Sequence, residues 1–233
     1  MDKGLYMSVA AMRSAEKRIE TIAGNLANVS SPSFKRSSSV TQAFDVGAGT
    51  NKHTELRSTT SVDWTQGMLE RREDPFALAL EGDGFFAVET PEGEAYTRDG
   101  AFRLNDLGEL LTKDGYPVSW VAARGRVQAT GEEVTVDGAG KVRQGKDDIG
   151  QLKLADFADR SQLKVDRFGY WHARPDMEPK EPTAVVRQNS YERSNAEAID
   201  ELVGLIKVQR SFESAANVMK SIDQSYKRLN NAR

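Results

Sequence analysis

The chain has 233 residues, with 32 lysines and arginines against 35 aspartates and glutamates, a formal net charge of −3 and no cysteine. That length allows one or two domains with a real core, and the slight acidity is the wrong sign for a non-specific nucleic-acid binder. The missing thiols exclude disulfides, thiol catalysis and thiolate zinc sites, and no apolar run approaches the ~20 residues of a membrane span.

The first element is a helix. Leu5, Val9, Met12, Ile19, Ala23 and Leu26 recur at alternating spacings of four and three, with Glu16 interrupting the stripe, the heptad pattern of a helix that packs on another helix. The stretch from Leu5 to Met12 reads as mature helix and not as a signal-peptide core, because its phase continues past Arg13 and Lys17. Ser31 precedes Pro32 and is pushed out of the helical region, so the helix should end near Asn28. On this reading Asn25 and Asn28 serve as helix-end and loop hydrogen-bonding groups.

Residues 37–75 are rich in serine and threonine, carry Gly47 and Gly49, and end near Gln66-Gly67-Met68-Leu69-Glu70. They read as a long polar connector, by composition a mobile linker. From Phe76 the period changes. Ala77–Leu80, Phe85–Val88, Ala95–Arg98, Ala101–Leu104 and Leu110–Thr112 are short runs of strand formers. They are separated by Asp83-Gly84, Pro91-Glu92-Gly93, Asp99-Gly100, Asn105–Gly108 and Asp114-Gly115, the punctuation of a β-meander. Further strand signals at Val134–Val136, Lys141–Arg143 and Gln151–Phe157 extend the β region to about residue 185, with Arg167–Glu181 as an irregular loop.

The glycines around Asp83 lack the Gly-Lys-Ser/Thr that a phosphate-binding loop requires. His53 and His172 have no second ligand at helical or hairpin spacing, and Glu132-Glu133 and Asp147-Asp148 sit in turns where solvated carboxylates need no function. No catalytic residue, cofactor or metal site is expected. Trp64, Trp120, Trp171 and the Phe85-Phe86 pair read as core or interface anchors.

The last element is a second, longer helix. Ser194-Asn195-Ala196-Glu197 has the form of a capping box. Ala198, Leu202, Leu205, Gln209, Phe212, Ala216, Met219, Asp223 and Tyr226 then continue the four-three alternation. Ile199, Val203, Ile206, Val218 and Ile222 widen the apolar face, so this helix expects more than one neighbour. The fold class is α+β: terminal helices forming a coiled-coil arm, with a central all-β domain. The expected divisions are 1–36 for the first arm helix, 37–75 for the connector, 76–185 for the β domain, and 186–233 for a short strand and the second arm helix. An arm with apolar residues on several faces points to a polymer in which many arms pack into a tube.

Several segments also resemble one known family. Asn25-Leu26-Ala27-Asn28 with Pro32, Phe34 and Lys35 is similar to the Asn-Leu-Ala-Asn-Val-x-x-Pro-x-Phe/Tyr-Lys signature of the flagellar rod, hook and hook-associated proteins, with Ser33 where that family usually places glycine. Gly82, Gly84, Phe85, Phe86, Tyr96, Thr97, Arg98, Gly100, Phe102, Gly115, Tyr116 and Pro117 match the family's Gly-x-Gly-Phe-Phe…Tyr-Thr-Arg-x-Gly-x-Phe…Gly-Tyr-Pro pattern. Ser194, Asn195, Gln209 and Arg210 match its final helix. The resemblance implies a structural subunit of the basal-body rod in the periplasm, exported by the flagellar type III apparatus and transmitting torque. Its implied assembly core lies in the terminal helices, at Leu5, Val9, Met12, Ile19, Ala23, Leu26, Leu202, Leu205, Gln209, Phe212, Ala216, Met219 and Tyr226. Its implied partners are copies of itself and other axial proteins, with peptidoglycan contact and neither nucleic-acid binding nor membrane insertion. A short connector favours the proximal rod type over the distal. The rival from another class is an extracytoplasmic glycan-binding module or enzyme, which would need a deep groove with convergent carboxylates.

Overall fold

The computed structural model describes residues 3–46, 53–122, 125–128 and 131–231. The chain divides into two units, one made of residues 1–29, 35–64 and 196–233, the other of residues 30–34 and 65–195.

In the first unit, helix α1 (Lys3–Ala27) ends one residue before Asn28, whose amide donates to the Gly24 carbonyl at 2.9 Å. Within the stretch expected as a connector, two strands form a hairpin. Strands β1 (Ser37–Val46) and β2 (His53–Val62) pair antiparallel from Ser37↔Val62 to Val46↔His53, while Gly47 and Gly49 lie outside the described residues. The polarity that suggested a linker is the strand chemistry here: Thr41 faces Ser58 and Ser38 faces Ser61, with hydroxyl oxygens 2.9 and 3.0 Å apart. Such cross-strand hydroxyl pairs stabilise a sheet without an apolar signature. Ser14 on α1 reaches the same ladder at Thr41, 2.6 Å away. Helix α2 (Ala198–Asn231) starts later than the Ser194 cap implied, with the Glu201 amide donating to the Glu197 carbonyl. Asp200 and Glu201 occupy its first turn and Arg228 its last, the polarity the helix dipole favours.

The second unit is β-rich and antiparallel throughout its named pairings. Its strands are β3 (Leu69–Arg71), β4 (Leu78–Glu81), β5 (Phe85–Thr90), β6 (Gly93–Thr97), β7 (Arg103–Leu104), β8 (Leu110–Leu111) and β9 (Val134–Val136). There follow β10 (Lys141–Gln144), β11 (Asp147–Gln151), β12 (Leu154–Ala155), β13 (Lys164–Val165), β14 (Trp171–His172), β15 (Val185–Gln188) and β16 (Ser190–Glu192). The largest sheet runs β12-β5-β6-β14-β13, beside a β11-β10-β9 sheet and the pairs β7-β8, β15-β4 and β16-β3. The last strands therefore return to the first, and Asn195 donates its side-chain amide to the Thr65 carbonyl at 3.0 Å. Leu78, Leu80, Phe86, Phe102, Leu110, Val118, Val142, Leu152 and Val186 form the core, with Phe86 edge-on to Phe102 at 5.1 Å between ring centroids.

Candidate interaction surface

The two helices run antiparallel in a fixed register. A Cβ on Gly4 would lie 3.3 Å from Ile222, and one on Gly204 would lie 3.5 Å from Ile22. Asn25 and Glu201 keep the same offset, with the Asn25 amide donating to Glu201 Oε1 at 3.2 Å. The seam follows Leu5, Ser8, Met12, Ala15, Ile19, Ile22 and Leu26 on α1, and Glu201, Leu205, Val208, Phe212, Ala215, Met219 and Ile222 on α2, all buried or half-buried. This stripe is shifted by one residue at alternate positions from the one read in the sequence. The shift explains Glu16, which stands outside the seam because small Ala15 fills that layer.

Of the residues expected in an assembly core, Leu5, Met12, Ile19, Leu26, Leu205, Phe212, Ala216 and Met219 are half-buried inside this unit, whereas Val9, Ala23, Leu202, Gln209 and Tyr226 are exposed. The outward side of α2 carries Ile199, Leu202, Val203, Ile206 and Val218, with Ile199 75% exposed. Surface-exposed apolar residues are ordinary singly, but here four of them fall within the first turns of one helix.

The motif residues are explained by two polar locks. In the first unit, Asn25 is buried and exchanges hydrogen bonds with Ser37, donating to its carbonyl at 2.8 Å and accepting from its amide at 2.9 Å. Arg36 pairs with Glu201, whose side chain is also buried. In the second unit, Arg98 and Glu192 form a buried ion pair at 3.1 Å. Arg98 also donates to the carbonyls of Gly82 at 2.7 Å and Leu80 at 3.3 Å. Glu192 Oε1 accepts the Gly67 amide at 2.9 Å. Ser33 donates its amide to the Glu192 carbonyl and its hydroxyl to the Arg98 carbonyl, each at 2.7 Å. Ser33 has φ +56°, the left-handed region where glycine is at ease, so its hydroxyl bond offsets a conformational cost.

Other motif positions shape the same unit. Gly82 turns with φ +98° and Gly115 with φ +88°, while a Cβ on Gly100 would sit 1.9 Å from the Leu78 carbonyl oxygen. Gly84, Phe85, Thr97 and Phe102 are buried, and so is Lys35 in the first unit. Tyr96 meets Phe157 edge-on at 4.8 Å, and burial pushes its hydroxyl up to about 12. Tyr116 meets Tyr170 at 5.4 Å, and the Pro117 carbonyl accepts the Glu89 amide at 2.8 Å. The Phe34 carbonyl accepts the Asn195 amide at 3.3 Å. Ala27 is exposed, Pro32 and Ser194 are half-buried, and Gln209 and Arg210 are exposed on α2. The Arg98–Glu192 partnership, between residues far apart in the chain, is the feature that sequence reasoning missed. Its signal was a charged residue in each of two otherwise strand-like motifs.

A further charged cluster lies at β12, where Arg160 contacts Asp156 at 2.8 Å and Asp83 at 2.9 Å and Lys180 lies 3.1 Å from Asp156. The Arg160 hydrogen bond holds the Asp83 carboxyl low. Burial opposes ionisation of Asp156, but hydrogen bonds from the Phe157 backbone, Arg160 and Lys180 outweigh it and hold that carboxyl low too. For the glycan-binding rival, the relevant feature is a groove of about 440 Å³ with Phe76, Leu104, Val127 and Val134 in it and Arg71, Arg72, Glu73, Glu132 and Glu133 around it. Those three carboxylates are exposed around the rim and do not converge in a deep cleft. Among the described residues no group of acidic residues and histidines could hold a metal ion, and no helix is long and apolar enough to cross a membrane.

Two family models match: the flagellar hook protein FlgE/F/G D1 domain over residues 79–144, and the flagellar basal body rod FlgEFG protein C-terminal region over residues 187–232. The chain is 32% identical over an alignment of 248 positions, gaps included, to the flagellar basal-body rod protein FlgF of Mesorhizobium japonicum, covering 98% of each chain. It is 31% identical to FlgF of Rhizobium meliloti, covering 100% of each. Against the rod protein FlgG of Buchnera aphidicola from Acyrthosiphon pisum it is 30% identical, covering 98% of this chain and 99% of the other.

Proposed function

Because the chain belongs to the flagellar basal-body rod protein family, we propose that it is a proximal-type rod subunit that self-assembles through its terminal helices into a tubular, torque-bearing axial structure. As a family member it is a structural protein of the basal body, in its periplasmic part, and not an enzyme. The observation that carries the assembly reading is the outward face of α2. The helix pair covers its own seam, yet Ile199, Leu202, Val203 and Ile206 stay in solvent. Burying each such side chain on a neighbour would contribute about 1.5–3 kcal/mol. A helix pair supercoiled as a coiled-coil arm, with these faces turned to other arms, accounts for the apolar surplus. Contacts of this heterologous kind extend into a helical filament when they do not close.

The proximal assignment rests on the short stretch between the first helix motif and the β domain. Export by the flagellar type III apparatus, contact with other axial proteins and contact with peptidoglycan follow from the family reading. The test is a deletion strain complemented with Leu202→Asp/Ile206→Asp. These positions are exposed, so the free chain should keep its helicity and melting temperature while basal bodies lack the subunit and cells do not swim. Normal swimming would refute the assembly face. Imaging of tagged basal bodies separates a single short layer, as proposed, from the long array of a distal rod.

A further inference from the structure

Beside the helix seam lies a small pocket of about 180 Å³, bounded by Arg18, Ile22, Ser39, Asp200, Gly204 and Lys207, with Glu201 in its wall. Glu201 is 1% exposed. Its Oε1 is taken by Asn25 and Arg36, but its Oε2 has no hydrogen-bond partner among the described residues, and neither has the buried hydroxyl of Ser39. A buried carboxylate oxygen left without a donor is a costly group to leave bare. Glu201 Oε2 accepts hydrogen bonds and the Ser39 hydroxyl can accept or donate them, and Gly204 adds no side chain to the pocket wall. The site is therefore built for a donor.

A donor of the right kind stands on the same helix with nothing to bind. Arg210 is exposed and makes no ion pair or side-chain hydrogen bond among the described residues. At about 3.6 residues per turn it points to the opposite side of α2 from Glu201, roughly 13 Å along the axis, so it cannot serve its own chain's pocket. It projects beside Ile206 on the outward face. We infer that the pocket receives the Arg210 guanidinium of a second copy, which pins the axial register of neighbouring arms. This rests on the assembly reading above. An apolar face by itself specifies register poorly, whereas one buried polar match in it selects a single alignment. A guanidinium presents its donors in a fixed planar fork suited to a carboxylate, which a lysine head does not. Arg18 and Lys207 on the rim are exposed, with the Asp200 carboxylate beside them.

The test is a double-mutant cycle in the complemented deletion strain, counting this subunit per isolated basal body, with the melting temperature of each free chain as a folding check. Arg210→Gln and Glu201→Gln are each expected to lower incorporation by at least about tenfold, and the double variant should be no worse than either single one. Lys220→Gln, another exposed cation on α2, should incorporate normally. Should Glu201→Gln melt early, Ser39→Val removes the other acceptor and narrows the pocket without touching the bonds of Glu201, and it is expected to block incorporation equally. Normal incorporation of Arg210→Gln or Ser39→Val overturns the inference alone, as does a double variant whose loss is the product of the single losses. Absence of the wild-type chain from basal bodies overturns both the assembly reading and this pairing.

Discussion

Replacing Arg98 with methionine should be among the most damaging single changes in the β-rich unit. The Arg98 side chain is 2% exposed and that of Glu192 is fully buried. Removing the guanidinium takes the Arg98 charge away from a buried carboxylate that also accepts the Gly67 amide, and it also frees the carbonyls of Gly82 and Leu80. Breaking a buried pair from one side costs about 3–5 kcal/mol, a large share of the roughly 5–15 kcal/mol that holds a domain together. At about 2–4 °C per kcal/mol for a chain of this size class, the melting temperature should fall by roughly 6–20 °C. Urea unfolding followed by tryptophan fluorescence and circular dichroism measures the loss. Arg98→Met/Glu192→Leu should recover much of it, because the penalty lies in the uncompensated charge and not in the missing salt bridge. A loss below about 1 kcal/mol for Arg98→Met, or a double variant as unstable as the sum of the singles, would refute this account of the lock.

Three further outcomes test other parts of the structure. Ala15→Glu should disrupt the helix pair and lower helicity of the free chain, while Ala23→Glu, outside the seam, should leave the circular dichroism spectrum unchanged; equal effects would mean the seam is misplaced. At Ser33, alanine loses the bond to the Arg98 carbonyl and keeps the left-handed backbone, so Ser33→Ala should cost about 1 kcal/mol. Ser33→Gly should stay within about 0.5 kcal/mol of wild type, and reversal of that order in denaturant titrations would count against the turn. For pH, the carboxyls of Asp83 and Asp156 are held below their ordinary value. Their contribution is present above pH ~4 and is lost as pH falls through the lowered folded values. Tyr96 acts at the other end: its raised folded value near 12 gives stability that is full below pH ~10 and lost as pH rises through 12. Melting curves of Arg160→Gln should show a weaker acid dependence than wild type, and an unchanged profile would exclude this cluster as a cause.

Much of this architecture is legible in the chain because local chemistry and global fold agree. The end of α1 follows from Pro32, and the turns of the meander follow from Gly82, Gly93, Gly108 and Gly115, each at positive φ. The hairpin of β1 and β2 was hidden because its strands are stabilised by hydroxyl pairs and not by apolar alternation, which is the signal that period-reading detects. The helix stripes were legible in period but not in phase. Val9 and Leu202 are more apolar than Ser8 and Glu201, so hydrophobicity alone selects them, whereas close packing at Gly4 and Gly204 and the Asn25–Glu201 bond select the other edge. No local pattern could pair Arg98 with Glu192, since the two lie 94 residues apart in the chain.

Gly67 and Gly100 set a different kind of limit. A Cβ on Gly67 would fall 2.0 Å from the Arg193 carbonyl oxygen, and one on Gly100 would fall 1.9 Å from that of Leu78. In both cases the obstacle is main chain, which no rotamer change can clear. Every amino acid reachable from a glycine codon by one base change carries a Cβ. At these two codons, then, each missense change forces main chain to move.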